Sequence, residues 1–251
     1  MISLLTFIRS NGCFHRLIYF YNSFSIQQWN RQHEFSFIKK MSNIADNIKI
    51  LPAQPRDYDR ILDFLRIHFY PEEPMTIGSE PKQQDPAEEE FTMSNIYHGT
   101  CMMAVQHRTV IAGPKHSDEA EHLFEEAARI GPTKWGHSVQ FLAGVERDAN
   151  VFERYKVNKA LHVHCLAVDS RVRGRALGTR LMKNVMDLGR RFGYPLITVD
   201  CTSIYSSRLC QNLNMESVNC MAYADYLDEN GKVVFKPPAP HICCETYAKR
   251  L

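Results

Sequence analysis

The chain has 251 residues, 44% apolar and 23% charged, enough for one globular domain with a full core or at most two small ones. Its 30 basic and 28 acidic residues give a net charge of +2, which disfavours a nucleic-acid-binding protein of the ordinary basic kind. Every apolar run is interrupted by charges before it reaches the roughly 18 residues of a membrane-spanning helix. We therefore expect no membrane span.

The eight cysteines form no Cys-x-x-Cys pair, and no Asn-x-Ser/Thr glycosylation site occurs. At this density we expect reduced, mostly buried thiols in an intracellular protein. One constellation could be drawn as a metal site: His162, His164, Cys165, His241, Cys243 and Cys244. Its spacing matches none of the usual zinc patterns, so we expect no metal.

Residues 1–40 differ from the rest of the chain. They hold five basic residues and a single acid, Glu34, a net charge of +4 that leaves 41–251 at −2. Such a leader resembles a mitochondrial transit peptide, but we favour a disordered or alternative-start extension, because Met41 stands just before the first patterned segment. We therefore divide the chain into a basic leader, 1–40, and one domain, 41–251.

After the leader the pattern becomes regular. The segment 47–52 alternates like a strand, and 57–69 places apolar residues at helical spacing behind an acidic start. The polar stretch that follows, up to Glu90, is expected to be a loop. Two apolar segments, 100–105 and 109–112, are separated by a short polar turn and predict a hairpin.

The second half alternates helices and strands. Helices are predicted over 118–130 and 135–150, and the strongest strand signal covers 161–168. A further helix, closing at Gly193, presents apolar residues at steps of four, three and four: Leu181, Val185, Leu188 and Phe192. The remaining predicted elements are a strand at 196–200, a short helix at 203–213 and two strands around the turn 229–231.

The most informative stretch is LAVDSRVRGRALGTRL, residues 166–181. A buried strand is followed by a turn with three arginines around Gly174, and a helix begins near Ala176. Unpaired N–H groups at a helix N-terminus favour phosphate, and arginine forks match its oxygens. The Walker and Gly-x-Gly-x-x-Gly patterns are absent. The segment therefore predicts an anion site, with a solvated arginine-rich loop as the alternative.

These residues carry a resemblance. Arg171-x-x-Gly174-x-Ala176 matches the pyrophosphate-binding signature of the GNAT acyltransferase superfamily. From Lys49 to Leu251 the chain is similar to invertebrate arylalkylamine N-acetyltransferases of the dopamine N-acetyltransferase type. The blocks that recur in order are EEPM at 72–75, LAVDSRVRGRALGTRL at 166–181, CTSIYSSRL at 201–209 and AYADYLDENGKVVFKPPAPH at 222–241.

The resemblance implies an α/β GNAT fold. Its sheet would be mixed and twisted, of about seven strands with helices on both faces, and splayed between strands four and five to admit acetyl-CoA. The backbone of Leu166 and Val168 would pair with the pantetheine arm. The expected pyrophosphate contacts are Arg173, Gly174, Arg175, Ala176, Gly178 and Thr179.

Acetyl transfer to an amine needs a base, because an alkylamine with a pKa of roughly 10.4 is almost wholly protonated at neutral pH. The resemblance makes Glu73 the first candidate, acting through ordered water. His162 and His164 are the second, since His-x-His places both rings on one face of a strand. Their segment is similar to the histidine-pair strand of vertebrate arylalkylamine acetyltransferases, although both rings could be buried structural histidines. The choice of base stays open.

The segment CTSIYSSRL supplies hydroxyl groups. By the resemblance, Thr202 and Ser206 take the places of two serines that partner the glutamate, and the threonine is a departure from the pattern. Ser206 is also a candidate cofactor contact, and Tyr205 a candidate acid for the leaving thiolate. Hydroxyls at the start of a helix are also common caps, so a structural role stays open for Ser203 and Ser206.

The acceptor side is less determined. Phe69, Tyr70, Met75 and Tyr223 could form an apolar slot for an aryl ring, or simply complete a core. We expect acetyl-CoA-dependent N-acetylation of small arylalkylamines, of the dopamine, serotonin, tyramine and octopamine class, by direct transfer. The alternatives are a polyamine or protein-lysine acetyltransferase and a non-catalytic acyl-CoA-binding or interaction module. The protein is expected to be a cytoplasmic monomer, or mitochondrial if the leader is a transit peptide.

Overall fold

The computed structural model describes residues 2, 3, 50–104, 108–173 and 176–251, which form a mixed α/β fold around one sheet. The strands of its main path are β1 (Ile50–Pro52), β2 (Met102–Ala104), β3 (Arg108–His116), β4 (Lys159–Val168), β5 (Leu196–Cys201), β6 (Glu216–Ala222) and β7 (Cys243–Arg250). Their order is β1-β2-β3-β4-β5-β7-β6. A two-residue strand, Ile2–Ser3, pairs antiparallel with β4 outside this order.

Helices separate the strands along the chain. They are α1 (Tyr58–His68), α2 (Pro74–Ile77), α3 (Pro86–Ser94), α4 (Glu119–Ile130), α5 (Lys134–Ala149), α6 (Val151–Tyr155), α7 (Leu177–Arg191) and α8 (Ile204–Asn212). Within the described part of the chain, none of them is long and apolar enough to cross a membrane.

The sheet is antiparallel except between β4 and β5, which run parallel. Their pairing joins only 161–163 of β4 to 197–199 of β5. Beyond this register the strands diverge, and β4 continues to Val168 while β5 continues to Cys201. This opening is the predicted splay between strands four and five, and the GNAT fold is confirmed.

A bulge in β4 reverses the orientation of its side chains. Cys165 lies opposite Ile111 and Val163 opposite Ala112, which leaves His164 as the extra residue. Val163 therefore packs with α7 on one face of the sheet, whereas Cys165, two residues later, packs with α1 on the other. The strand thus exchanges its faces beside the splay.

Helices cover both faces of the sheet, as predicted. On one face α7 buries the predicted residues Leu181, Val185 and Leu188, and on the other α1 buries Ile61 and Leu65. Each such side chain contributes about 1.5–3 kcal/mol when it leaves water. The helical spacing read from the sequence therefore assigned the correct face of each helix.

Two predictions about the chain path are wrong. The polar stretch up to Glu90 is not all loop, because α3 begins at Pro86 after Asp85, whose side chain accepts a hydrogen bond from the Ala87 N–H at 2.9 Å. The turn 229–231 is flanked only by an isolated bridge between Leu227 and Val233, and not by two strands. Prolines without an N–H donor follow it, at 237, 238 and 240, and β7 begins only at 243. Most of the predicted leader lies outside the described residues.

Candidate active site

Glu73 stands at the start of α2, directly after the turn Tyr70–Glu72. Its backbone is extended, so its side chain can fold back over the helix, and Oε2 accepts a hydrogen bond from the Thr76 N–H at 2.6 Å. The residue is only 1% exposed. The cap therefore fixes a buried carboxylate in one orientation.

The environment of Glu73 favours its protonated form. Burial raises the pKa of this carboxyl above its ordinary value, although hydrogen bonds from Thr76 and Met75 and the nearby Thr202 hydroxyl oppose the rise. Glu73 Oε1 and Thr202 Oγ1, both buried, make no hydrogen bond within 3.5 Å to the described residues. The site thus combines a carboxylate of raised proton affinity with a neighbouring hydroxyl, an arrangement suited to proton transfer.

Thr202 follows β5 at the splay, and its position is set by Tyr223. The Tyr223 hydroxyl donates to the Thr202 carbonyl oxygen at 2.7 Å, and its ring stacks on Phe141 with centroids 5.5 Å apart. Met75 is buried in the same apolar cluster. Two of the four predicted acceptor residues, Met75 and Tyr223, therefore lie in the core that supports Glu73 and Thr202.

The other two predicted acceptor residues, Phe69 and Tyr70, are also buried. Their rings meet edge to face at 5.2 Å in the cluster around α1. Burial raises the pKa of Tyr70, and the carboxyl group of Glu88 is the strongest charge that adds to this rise. Tyr70 is therefore close to an acidic residue that is not among the predicted site residues.

Glu88 lies in the first turn of α3 and is 7% exposed. Burial, followed by the charge of Glu73, raises its pKa to about 8. Glu88 is not among the site residues predicted from the sequence, because a run of acidic residues is typical of a solvated loop. The available signal was Asp85 followed by Pro86, a cap and a first helical position that together predict a helix start.

Ser203 and Ser206 form the cap of α8. The Ser203 side chain accepts from the Ser206 N–H at 3.2 Å, and Ser206 Oγ donates to the Ser203 carbonyl oxygen at 2.7 Å. Tyr205 is 57% exposed, with its ring edge-on to His241. Of the predicted hydroxyl groups, the structure brings Thr202 to Glu73, uses Ser206 in the cap and places Tyr205 at the surface.

His162 and His164 are both buried, with ring centroids 4.8 Å apart. His162 Nδ1 lies 2.9 Å from Thr198 Oγ1 and 3.5 Å from Lys115 Nζ. Its Nε2 lies 3.8 Å from Asp200 Oδ2. His162 therefore belongs to a buried network of charged groups.

Lys115 supplies the positive charge of this network. It forms a buried ion pair with Glu146. Burial and the charge of Asp200 raise the pKa of the Glu146 carboxyl, and Lys115 opposes this rise only in part. Glu146, His162 and Asp200 have potential ligand atoms within 4.8 Å of one another. The Lys115 ammonium, paired with Glu146 and 3.5 Å from His162 Nδ1, supplies a positive charge to this group.

The donor side begins at Ala176, the first residue described after the arginine turn. Ala176 has a φ of 55° and gives α7 no side-chain cap, so the N–H groups of the first turn, which includes Thr179, are available to an anion. A Cβ on Gly178 would lie 3.3 Å from the side chains of Leu166 and Leu209. Gly178 therefore allows α7 to approach β4 closely.

Two arginines of the turn have defined partners. Arg171 makes a bidentate contact with the buried Asp169, from Nε to Oδ1 at 3.1 Å and from Nη2 to Oδ2 at 2.8 Å. Arg173 forms an ion pair with Glu72 at 2.7 Å and donates from Nε to the Val168 carbonyl oxygen at 3.0 Å. Gly174 and Arg175 lie outside the described residues. The turn is therefore attached both to β4 and to the segment that carries Glu73.

The two cysteines nearest the motif strands are poor nucleophiles. Cys165 and Cys201 are 1% and 0% exposed, and burial raises the pKa of both thiols well above the ordinary value. A thiol in such surroundings stays protonated near neutral pH, and the thiolate is the reactive form.

Comparison with known proteins agrees with this geometry. Residues 115–208 match the acetyltransferase (GNAT) family. An agmatine N-acetyltransferase structure is 41% identical, with a TM-score of 0.79 over 82% of this chain and 100% of that one. A Drosophila melanogaster polyamine N-acetyltransferase, which forms N-acetylagmatine, is also 41% identical, with a TM-score of 0.79 over 81% of this chain and 100% of that one. A mosquito arylalkylamine N-acetyltransferase-like 5b structure is 36% identical, with a TM-score of 0.78 over 81% and 100%.

These similarities extend well beyond the matched family segment and cover the whole length of each neighbour. They agree with the splayed β4 and β5 and with the uncapped start of α7. The chain belongs to the GNAT acetyltransferase family, and it is an acyltransferase.

Proposed function

We propose that the protein transfers the acetyl group of acetyl-CoA to the primary amine of a small alkylamine, with Glu73 as the general base. The observation that carries this proposal is the buried Glu73 carboxylate, held by the Thr76 N–H and adjacent to the Thr202 hydroxyl at the splay. A base works best when its pKa lies near the operating pH, and burial raises the pKa of Glu73 towards that pH.

The reaction balances without another reactant. The amine gives a proton to Glu73, directly or through water, and its nitrogen attacks the thioester carbonyl carbon. A C–N bond forms, the C–S bond breaks, and coenzyme A leaves as a thiolate that takes up the second proton lost by the nitrogen. Glu73 then releases the first proton to solvent. The high thiol pKa values of the buried Cys165 and Cys201 favour this direct transfer over an acetyl-enzyme.

On the donor side, the first turn of α7 and Arg173 are assigned to the pyrophosphate. The α7 N-terminus has no side-chain cap, and the Arg173 guanidinium is partly exposed beside it. The diverging edge of β4 at Leu166 and Val168 is assigned to the pantetheine arm, which would displace the Ile2–Ser3 strand that pairs with Leu166 and Cys165. Gly174 and Arg175 belong to the same proposed phosphate loop by the sequence resemblance.

The histidines are assigned a positioning role. His162 is already engaged with Thr198 and lies in the network around Lys115, so its ring is less available than Glu73 for an entering amine. Ser206 is assigned chiefly to the helix cap. Tyr205, at the surface, is the weaker candidate for the acid that protonates the leaving thiolate.

Two acceptor classes are supported by different observations. The aromatic residues Tyr70 and Tyr223, with Met75 nearby, suit an arylalkylamine, and the mosquito neighbour carries that name. Agmatine and other polyamines are the second candidate, because the two neighbours at 41% identity are described as acting on them and a second carboxylate, Glu88, lies near Glu73. The cytoplasmic location and the monomeric state stay predictions.

An acceptor panel tests this function. The full chain is incubated with acetyl-CoA and tyramine, serotonin, agmatine, putrescine or a lysine peptide, and release of free thiol is measured. We expect turnover with small amines and little with the peptide. Calorimetric binding of acetyl-CoA without thiol release on any amine would instead support a non-catalytic module.

A further inference from the structure

Two neighbouring acids on α3 have different surroundings. Glu88 and Glu89 are both buried, at 7% and 9% exposure. Glu89 accepts two hydrogen bonds from the Arg66 guanidinium, at 2.9 and 2.6 Å. Glu88 has no ion pair within 4.0 Å among the described residues. Glu88 is therefore a buried acid whose ionised form has no cation partner in the described part of the chain.

Glu88 lies three residues before Phe91 on the same face of α3, and the Phe91 ring meets the His164 ring edge to face at 6.4 Å. Glu73 is the strongest charge acting on Glu88, and the carboxyl groups of both residues act on the thiol of Cys165 in β4. Burial is the main cause of the raised pKa of Tyr70, and Glu88 is the strongest of the charges that add to it. Tyr70 OH and Glu73 Oε1 are buried and have no hydrogen-bond partner within 3.5 Å among the described residues. One buried region therefore contains two acids and two polar atoms that have no hydrogen-bond partner among the described residues.

Polar contacts of one short segment lie between the two acids. The Thr76 N–H donates a hydrogen bond to Glu73. The Thr76 hydroxyl donates to Gln84 Oε1 at 3.4 Å. Gln84 in turn interacts with the Glu88 carboxyl. The same short segment thus holds Glu73 from one side and Glu88 from the other.

The nearest lysine does not neutralise this pair directly. Lys134 Nζ donates to the carbonyl oxygens of Thr76 at 3.0 Å and Gln83 at 2.8 Å, and also to that of Pro81. It forms no ion pair within 4.0 Å with either acid among the described residues. Lys134 therefore fastens the segment between α2 and α3, and the carboxylates keep their capacity for a cationic ligand.

We propose that Glu88 is the second anionic contact of the acceptor site, and that it selects small primary amines that carry a second positive group. The inference rests on the proposed function. The amine to be acetylated is directed to Glu73, while the distal ammonium or guanidinium group binds Glu88. A monoamine with an apolar tail leaves Glu88 without a cation, so the structure favours the diamine or aminoguanidine class over arylalkylamines.

The test compares acceptors that differ in the distal charge. Agmatine and putrescine carry it, whereas n-pentylamine has similar length without it and tyramine adds an aryl ring. We expect wild type to prefer agmatine to n-pentylamine. In Glu88→Gln, kcat/KM for agmatine should fall about 10- to 100-fold, the range for loss of a buried charge-assisted hydrogen bond. The values for n-pentylamine and tyramine should stay within about threefold.

Glu89→Gln is the matched control, because it removes a neighbouring buried carboxylate that is occupied by Arg66. It should lower thermal stability without changing the ratio of agmatine to n-pentylamine turnover. Acetyl-CoA binding checks that each variant is folded, and Glu88→Asp, which keeps the charge, replaces Glu88→Gln if that variant does not fold. Glu88→Asp should retain the preference for agmatine only in part.

An equal fall for agmatine and n-pentylamine in Glu88→Gln would overturn the proposal, as would a wild type without preference for the distal charge. Failure of the proposed function has a different result, namely no thiol release by wild type with any amine. Calorimetric titration with agmatine in the presence of coenzyme A would then decide the role of Glu88. Binding that is equal in wild type and Glu88→Gln, or absent from both, would contradict it.

Discussion

Arg173 and Glu72 form an ion pair of 2.7 Å that joins the turn after β4 to the segment carrying Glu73. The same guanidinium donates from Nε to the Val168 carbonyl oxygen at 3.0 Å. A residue assigned to the acyl donor is therefore attached to the neighbour of the proposed base. Donor binding and the acceptor segment are connected through two side chains.

The first prediction follows from this contact. Arg173→Ala should raise the KM for acetyl-CoA about tenfold, because it removes a charge-assisted contact to phosphate. Glu72→Gln should lower that KM about two- to threefold, because the guanidinium no longer has to leave an exposed ion pair worth at most about 1 kcal/mol. Initial rates at saturating amine measure both effects.

Arg190→Ala is the control for the loss of one positive charge. Arg190 lies in the last turn of α7 and pairs with Asp187 at 2.7 Å. Its KM for acetyl-CoA should equal that of wild type. A similar rise in Arg173→Ala and Arg190→Ala would mean that overall charge, and not a contact of Arg173, governs donor binding.

The second prediction concerns Glu73. Glu73→Gln should lower kcat by about 10² or more, because the amide cannot accept the amine proton. Burial raises the pKa of the wild-type carboxyl, so the acid limb of its kcat/KM profile should lie above the ordinary carboxylate range. Activity should rise with pH through that limb as Glu73 loses its proton.

Glu72→Gln is the matched control, since it changes the adjacent and partly exposed acid. Its kcat should stay close to wild type, and acetyl-CoA binding should be unchanged in Glu73→Gln. Near-normal turnover of Glu73→Gln would transfer the role of base to His162 and His164.

The third prediction separates His162 from catalysis. His162→Gln should lower the free energy of unfolding by about 1–3 kcal/mol, because it disturbs a buried polar network that contains Lys115 and Asp200. The kcat per folded molecule should remain within about tenfold of wild type. Urea unfolding and steady-state kinetics measure the two quantities, with the surface variant His122→Gln as control. A loss of kcat near that of Glu73→Gln would contradict the assignment.

Local patterns were sufficient for most of the fold. The spacing of Leu181, Val185 and Leu188 predicted the buried face of α7, and the apolar run from 161 to 168 predicted β4. The acidic run around Glu88 predicts a solvated loop, because charged residues are usually exposed. In this case the cap Asp85 and the tertiary packing of α3 outweigh that tendency.

The buried charge network could not be read from the sequence for a different reason. Lys115 lies on β3, Glu146 on α5 and Asp200 on β5, and each of these residues is unremarkable among its sequence neighbours. The pairing of β3 with β4 and of β4 with β5 brings Lys115 and Asp200 to His162, and the packing of α5 adds Glu146. The same holds for Glu73 and Thr202, whose proximity was expected from family resemblance and not from spacing.

The fourth prediction distinguishes two hydroxyl groups. Thr202→Val removes a hydroxyl that lowers the pKa of Glu73, so the acid limb of kcat/KM should move to higher pH, whereas Thr202→Ser should leave it in place. Ser206→Ala removes part of the α8 cap and should cost about 1 kcal/mol of stability with little change in kcat. A pH profile and urea unfolding of each variant measure these effects. An unshifted limb in Thr202→Val would show that its hydroxyl does not act on the base.

The fifth prediction is a pH dependence of stability. The Glu88 carboxyl has a pKa raised from 4.5 to about 8 in the folded protein, by burial and by Glu73. Between these values the folded state binds more protons than the unfolded state, so this contribution to stability is fully present below the lower value and lost as pH rises through the upper one. Asp85, Glu73 and Lys134 are the other charges that act on Glu88.

Glu88→Gln has no carboxyl group to titrate at this position. The difference in unfolding free energy between this variant and wild type should therefore favour the variant more at pH 8.5 than at pH 5. The change in this difference should be on the order of 1–4 kcal/mol. Urea unfolding at both pH values measures it, with Glu90→Gln, an exposed position on the same helix, as the control for the general effect of charge removal. Agmatine should stabilise wild type more at pH 8.5, where its second positive group meets an ionised Glu88. A difference between Glu88→Gln and wild type that does not vary with pH would mean that Glu88 keeps an ordinary pKa.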